Sequence, residues 1–206
     1  MNDNNCISII AAILGSILGG GITGYFTLRG VKQAHQNDLE KQKKDRETLV
    51  RSLLQSLHDE IETLWETYMK GIGVKLEALS DNQPFLFYYP VTQEYFTVYT
   101  GNSFLIGQID NNDLRKAIIT TYTYARGLID SYRFNNDLLQ KYEYWFFLFQ
   151  ETKNPQHATN RDAYMDSLIK YAKDLKESHS ELKEDANNVL RMLRKQGVLS
   201  ERRQVT

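Results

Sequence analysis

Chemistry at neutral pH needs a nucleophile, a titratable base or a set of ligands, and this chain is sparing with all three. It has four histidines, His35, His58, His157 and His179, and one cysteine, Cys6. His58 and Glu62 stand four apart, a spacing that can put two ligands on one helix face. His179 stands between Glu177 and Glu181 in the same way. Two ligands do not close a metal site, and no further His or Cys pattern converges on either pair. The sequence therefore places these histidines on solvated helix faces and predicts no metal and no cofactor. Asp59 and Glu60 are adjacent carboxylates on a polar stretch with no pattern that puts them in a pocket, so neither is assigned as acid or base.

Phosphate-cradling loops are also missing. GSILGGG lies inside an apolar run, and GIGVK at 71–75 lacks the spacing and the Ser or Thr of a P-loop. There is no nucleophile elbow, and Cys6 stands at the edge of the apolar run rather than in a catalytic setting. A lone cysteine excludes an internal disulfide framework. No catalytic residue is assigned and the expected role is not enzymatic. A formal charge of −1 provides no overall pull toward nucleic acid, and no nucleic-acid partner is expected.

The elements that would carry any function begin with residues 6–28, CISIIAAILGSILGGGITGYFTL, which hold no charge. About 20 such residues cross the ~30 Å hydrocarbon core. A cleaved signal would want a basic start, and MNDNN has none. The expectation is a single transmembrane helix at 6–28, with residues 1–5 outside. Arg29, Lys32, Lys41, Lys43, Lys44 and Arg46 follow it, so the positive-inside rule puts the remainder in the cytoplasm of a bacterial inner membrane. Ala12, Ser16, Gly20 and Gly24 recur every fourth residue, as do Gly15 and Gly19. Small residues at this interval let two helix backbones approach in lipid, so this face is the expected association surface. Arg29, Lys32, Lys41, Lys43 and Lys44 are the expected contacts to lipid headgroups.

Residues 29–48 read as a basic helical stalk with too few heptads for an established coiled coil. Residues 49–199 read as a helical domain and 200–206 as a flexible tail. Val50, Leu53, Leu54, Leu57, Ile61, Leu64, Trp65 and Tyr68 recur at threes and fours, one helix face. Gly71 and Gly73 break that helix, with a short piece at 74–79 to follow. Pro84 and Pro90 exclude a regular helix between them, and seven aromatics crowd 85–99, an extended segment laid across the helices. Asn111 or Asn112 caps a helix with Leu114, Ile118, Tyr122, Ala125, Ile129 and Tyr132 inward. Asn135 and Asn136 end it, and another helix runs 137–151, burying YWFFLF at 144–149 in the core. The last runs 160–196, with Gly197 as its cap. The predicted class is all-α: a transmembrane helix, a stalk, and four mostly antiparallel helices carrying an aromatic loop.

Charge is uneven along the chain. Nine acids at 52–113 face only Lys70 and Lys75, whereas 191–203 carries five basic residues against Glu201. The basic end is thus expected to fold back on the acidic part, to touch lipid or to bind a partner.

The stretch FTVYTGNSFLIGQIDNNDLRKAIITTYTYARGLIDSYRFNN, residues 96–136, taken with the apolar segment and stalk, resembles small bacterial proteins with an N-terminal membrane helix and a helical cytosolic domain. Those proteins are functionally unassigned, and some look like phage-related or mobile-element cargo. The resemblance implies no catalytic residue. The expected function is that of a membrane-anchored helical interaction or scaffold protein, oligomeric, in a phage- or defence-related setting. Its expected partners are membrane lipid and either further copies of itself or another membrane or cytosolic protein. The alternative is a membrane-perturbing or pore-forming effector assembled through the Gly-rich helix.

Overall fold

The computed structural model describes residues 3–91 and 94–198, and for 3–19 and 21–23 the backbone alone. Among the described residues every regular element is helical, so the all-α class holds. The chain divides into two compact units, Met1–Leu49 and Val50–Thr206.

In the first unit the backbone is helical throughout its described part, as the beginning of α1 (Asp3–Tyr68). Proline is absent, and Lys43 pairs with Glu47 one turn on at 3.9 Å. Each side chain from Gly24 to Leu49 is exposed. Among the described residues, no helix is long and apolar enough to cross a membrane. For most of the stretch 6–28 the backbone alone is described, and the side chains at Ala12, Gly15, Ser16 and Gly19 lie outside the description. Gly20 and Gly24 are described, and a Cβ at either would meet nothing within 4 Å.

The second unit opens with the end of α1. A π-helical turn, Met69–Gly73, leads into α2 (Val74–Glu77). The expected break at the two glycines is thus a widened turn that stays helical. A Cβ at Gly73 would lie 2.7 Å from the Met69 sulfur and 3.0 Å from the Tyr68 ring, so glycine is required for that ring to seat. An irregular aromatic stretch follows. Two short helices follow, α3 (Thr97–Gly101) at the end of the expected extended segment and α4 (Ser103–Ile106) just after it. α3 has a tertiary cause: the Glu60 carboxylate accepts from the Val98 and Tyr99 N–H groups at 2.7 and 3.2 Å, capping it from another helix.

α5 (Asn112–Thr152) and α6 (Pro155–Lys195) form a two-helix hairpin, each with 41 residues and so about 60 Å long. Asn111 caps α5 as expected, accepting from Leu114 N–H at 3.0 Å. Lys153 closes it in the left-handed region (φ 56°), and Asn154 caps α6 with Pro155 in the first turn. α6 therefore starts before residue 160, its predicted beginning. Asn135 and Asn136 do not interrupt α5. Their side chains reach across to the aromatic stretch instead of competing for their own backbone. Asn135 Nδ2 donates to Phe85 O at 3.2 Å, and Asn136 takes both Tyr89 N–H and C=O at 3.1 and 2.7 Å. Three long helical segments replace the four expected.

Two apolar clusters fill the space between the end of α1 and the hairpin. In the first, Leu57 and Ile61 meet Leu114, Ile118 and Tyr122 of α5 and Val189 and Leu193 of α6. In the second, Ile72, Leu76 and Phe85 meet Leu128 and Tyr132 of α5 and Leu175 and Leu182 of α6. Toward the hairpin tip only Leu138, Leu139 and Leu168 are buried, with Tyr142, Tyr164 and Tyr171 against them. YWFFLF at 144–149 is not core: Tyr144 is 60 % exposed and Phe147 62 %, and no residue of the run is buried. Among the described residues no third helix covers that end, and the aromatic stretch reaches no further than the Tyr88–Glu143 hydrogen bond at 2.7 Å.

Candidate functional site

The polar groups that converge in the interior come from α1, α2, α5 and α6. The last turns of α1 present Trp65 and Tyr68 on one face, with Gly73 leaving room for the Tyr68 ring. α5 supplies Tyr122, Ala125, Leu128, Ile129 and Tyr132 at helical spacing, and α6 supplies His179, Leu182, Lys183 and Ala186. α2 brings Glu77 to the edge. Between these walls is a cavity of about 100 Å³, roofed by Tyr89, Tyr95 and Phe96 of the aromatic stretch.

A hydrogen-bonded line crosses one end of the cavity. The Tyr132 and Tyr68 hydroxyls are 3.0 Å apart, and Tyr68 Oη is 2.7 Å from His179 Nδ1. His179 Nε2 is 3.1 Å from Glu77 Oε1, and Lys183 Nζ donates to the same oxygen at 2.7 Å. The charged end fixes the direction of the bond to Glu77. Hydrogen bonds from Lys183 and His179 hold the Glu77 carboxyl below the usual carboxylate range, so it is ionised and only accepts. His179 Nε2 must then donate. The Tyr68 hydroxyl stands within hydrogen-bond reach of both His179 Nδ1 and the Tyr132 hydroxyl. The His179 ring, only 3 % exposed, also stacks on Trp65 with centroids 5.8 Å apart.

This line resembles a base-and-orienter pair behind a hydroxyl, but the hydroxyl is a phenol that stays protonated. Burial pushes Tyr68 far above its ordinary value, and burial does the same to Tyr132 and Tyr122. Burial and the neighbouring Tyr95 push Tyr89 up to about 12. Neutral, buried phenols position partners and accept or donate hydrogen bonds; they do not attack as nucleophiles.

The residues singled out from sequence fare differently. His58 is buried (1 % exposed) and not on a solvated face. It does come close to Glu62, at 3.9 Å, yet what the pair holds is an arginine. Arg194 donates to Glu62 at 2.8 Å and to His58 Nε2 at 3.4 Å, tying α6 to α1. The basic C-terminal part thus reaches the acidic part at Arg194, one of the three expected options. His179 is likewise buried, and its partners lie on α1 and α2 and not at Glu177 or Glu181. Asp59 and Glu60 part company: Asp59 pairs with Gln55 and His58, whereas Glu60 caps α3 and accepts from the Tyr122 hydroxyl at 2.6 Å. Arg29, Lys32, Lys41, Lys43 and Lys44 are all exposed on α1 in the first unit. Among the described residues no group of three or more His, Cys, Asp or Glu could hold a metal ion. Glu60, Tyr68 and the two asparagines of α5 are the functional positions that sequence reasoning missed. Tyr68 carried a signal, as the last inward position of its helix. Glu60 carried none, because a cap supplied by another helix leaves no local pattern.

No family model, curated protein or solved structure matches this chain.

Proposed function

We propose that the chain is a membrane-anchored helical interaction protein, which self-associates through its N-terminal helix and holds the Val50–Thr206 unit in the cytoplasm. The observation that carries this reading is the open face at Gly20 and Gly24. They stand four apart in a run of 23 uncharged residues, and among the described residues nothing outside their own stretch of helix lies within 4 Å of where their Cβ atoms would be. Close helix–helix approach in lipid is what small residues at this interval provide. The exposed Arg29, Lys32, Lys41, Lys43 and Lys44 suit an anionic lipid surface, at about 1 kcal/mol per charge near the headgroups. The Tyr–His–Glu line is too well satisfied, and its phenols too firmly protonated, to support an enzymatic reading.

The test is the oligomeric state in detergent, by crosslinking and sizing of wild type and Gly20→Leu. Assembly of the wild type, weakened in the variant, is the expected result; a wild type that is monomeric at all concentrations overturns the reading. The pore-forming alternative predicts loss of membrane potential on expression, and an unchanged potential eliminates it. A phage- or defence-related setting is part of the proposal, and genomic neighbours of that kind would support it.

A further inference from the structure

We propose that the cavity roofed by Tyr89, Tyr95 and Phe96 is a binding site for a small neutral aromatic molecule bearing one hydroxyl, of the size of a phenol. The proposal is independent of the membrane reading and rests on the size, the lining and the polar end of the site.

Size comes first. The cavity measures about 100 Å³. An apolar cavity of roughly 150 Å³ takes benzene, and a single water needs only about 10–15 Å³. The site is thus far larger than a water position and slightly small for a whole ring. Its rim is formed by half-buried residues, among them Tyr95, Phe96 and Ile129, so one edge of a ring can protrude.

The lining is next. Trp65, Ala125, Leu128, Ile129 and Leu182 make most of the wall apolar. Water there would lack the two to four polar partners that hold a buried water, so an apolar body is the better occupant. An ionised ligand is disfavoured as well, because burial of a charge without a partner costs far more than one hydrogen bond returns.

The polar end selects the functional group. Of the wall hydroxyls, Tyr95 donates to Pro90 O at 2.9 Å, Tyr122 to Glu60 at 2.6 Å and Thr121 to Ala117 O at 2.9 Å. The Tyr68 and Tyr132 hydroxyls, 3.0 Å apart, join the cavity wall to His179. A hydroxyl on the ligand both donates and accepts, so it can join that pair in either direction of the line, which a ring without one cannot.

The experiment is fluorine NMR titration of the full chain in detergent with three probes, 4-fluorophenol, 4-fluorotoluene and 4-fluorobenzoate. Wild type is compared with Ala125→Leu, which fills the cavity, in the same detergent; Ile129→Phe serves if that variant does not fold. The expected result is saturable binding of 4-fluorophenol by wild type that the filled variant lacks. Binding should be about tenfold tighter than 4-fluorotoluene, the worth of one hydrogen bond, with no binding of 4-fluorobenzoate. Tyr132→Phe should bring phenol and toluene probes close to parity while the toluene probe still binds. Three results overturn the proposal: no saturable difference between wild type and the filled variant, equal binding of the phenol and toluene probes by wild type, or tighter binding of the benzoate.

Discussion

The two halves of the α5–α6 hairpin have opposite fates. The half nearest Asn112 and Lys195 is covered by the end of α1 and by the aromatic stretch, and it buries Leu114, Ile118, Leu175 and Leu193 completely. The half nearest Lys153 carries the more apolar run, YWFFLF, and leaves it at the surface. Local hydrophobicity therefore did not decide burial here; the presence of a third layer did. A lone pair of helices can hide one stripe from each, and Leu138, Leu139 and Leu168 are that stripe. The remaining aromatics of the tip meet only the hairpin's own side chains, Trp145 against His157 and Phe149 under Arg161, and stay partly exposed.

The contrast can be broken hardest at its covered end. Leu57→Ala removes a side chain with no exposed surface from the centre of the first cluster. The expected loss in urea unfolding followed by near-UV circular dichroism is about 3–4 kcal/mol, the sum of lost transfer energy and a residual cavity. Leu148→Ala at the half-buried tip should cost less than about 1 kcal/mol in the same assay. Equal losses would mean that the two halves share one core after all.

Tyr68→Phe tests the polar part of the covered half. It deletes one oxygen but strands two groups, His179 Nδ1 and the Tyr132 hydroxyl. Leaving buried polar groups unpaired makes the expected cost about 2 kcal/mol. The comparable change at the tip, Tyr142→Phe, should be near neutral.

How much of this was legible in the sequence follows the same division. The helix faces of α1 and α5 were readable, because a periodic apolar stripe needs only local information. Asn111 was readable as a cap for the same reason. Asn135 and Asn136 misled, since an asparagine pair looks like punctuation until its cross-chain partners, Phe85 and Tyr89, are known. His58 and His179 misled because acidic neighbours mark a polar face, whereas the partners that allow their burial are Arg194 and Tyr68, more than one hundred residues away. The YWFFLF run misled because apolarity records a preference for burial and not whether a covering element exists.

pH separates the halves in another way. Burial raises Tyr68, Tyr122 and Tyr132, all in the covered half, above the ordinary value of 10.0. In the unfolded chain these phenols ionise near 10, while the folded protein keeps their protons. Stability is therefore fully present below pH 10 and falls as pH rises beyond it, by at most about 1.4 kcal/mol per pH unit for each phenol. Alkaline unfolding should begin above pH 10, with a shallower slope in Tyr122→Phe. Glu77 works in the opposite sense. Its folded value is lowered, chiefly by Lys183, so its contribution is present above 4.5 and fades as pH falls through the folded value. In Glu77→Gln the acid-side loss should shrink, and an unchanged acid limb would remove Glu77 from the account.

The smallest expected effect falls on the uncovered half. Tyr144→Ser and Phe147→Ser change side chains that are 60 and 62 % exposed, so stability should shift by no more than about 0.5 kcal/mol. Amide hydrogen exchange should agree, with residues 141–165 opening at lower free energy than 114–132, because few buried contacts oppose local opening at the tip. The pair of measurements discriminates. A loss near 2 kcal/mol on either serine substitution, or exchange at the tip as slow as in the covered half, would show that the aromatics are covered in solution by a layer the isolated chain lacks. In that event the hairpin tip, and not only the N-terminal helix, would have to be counted as an association surface.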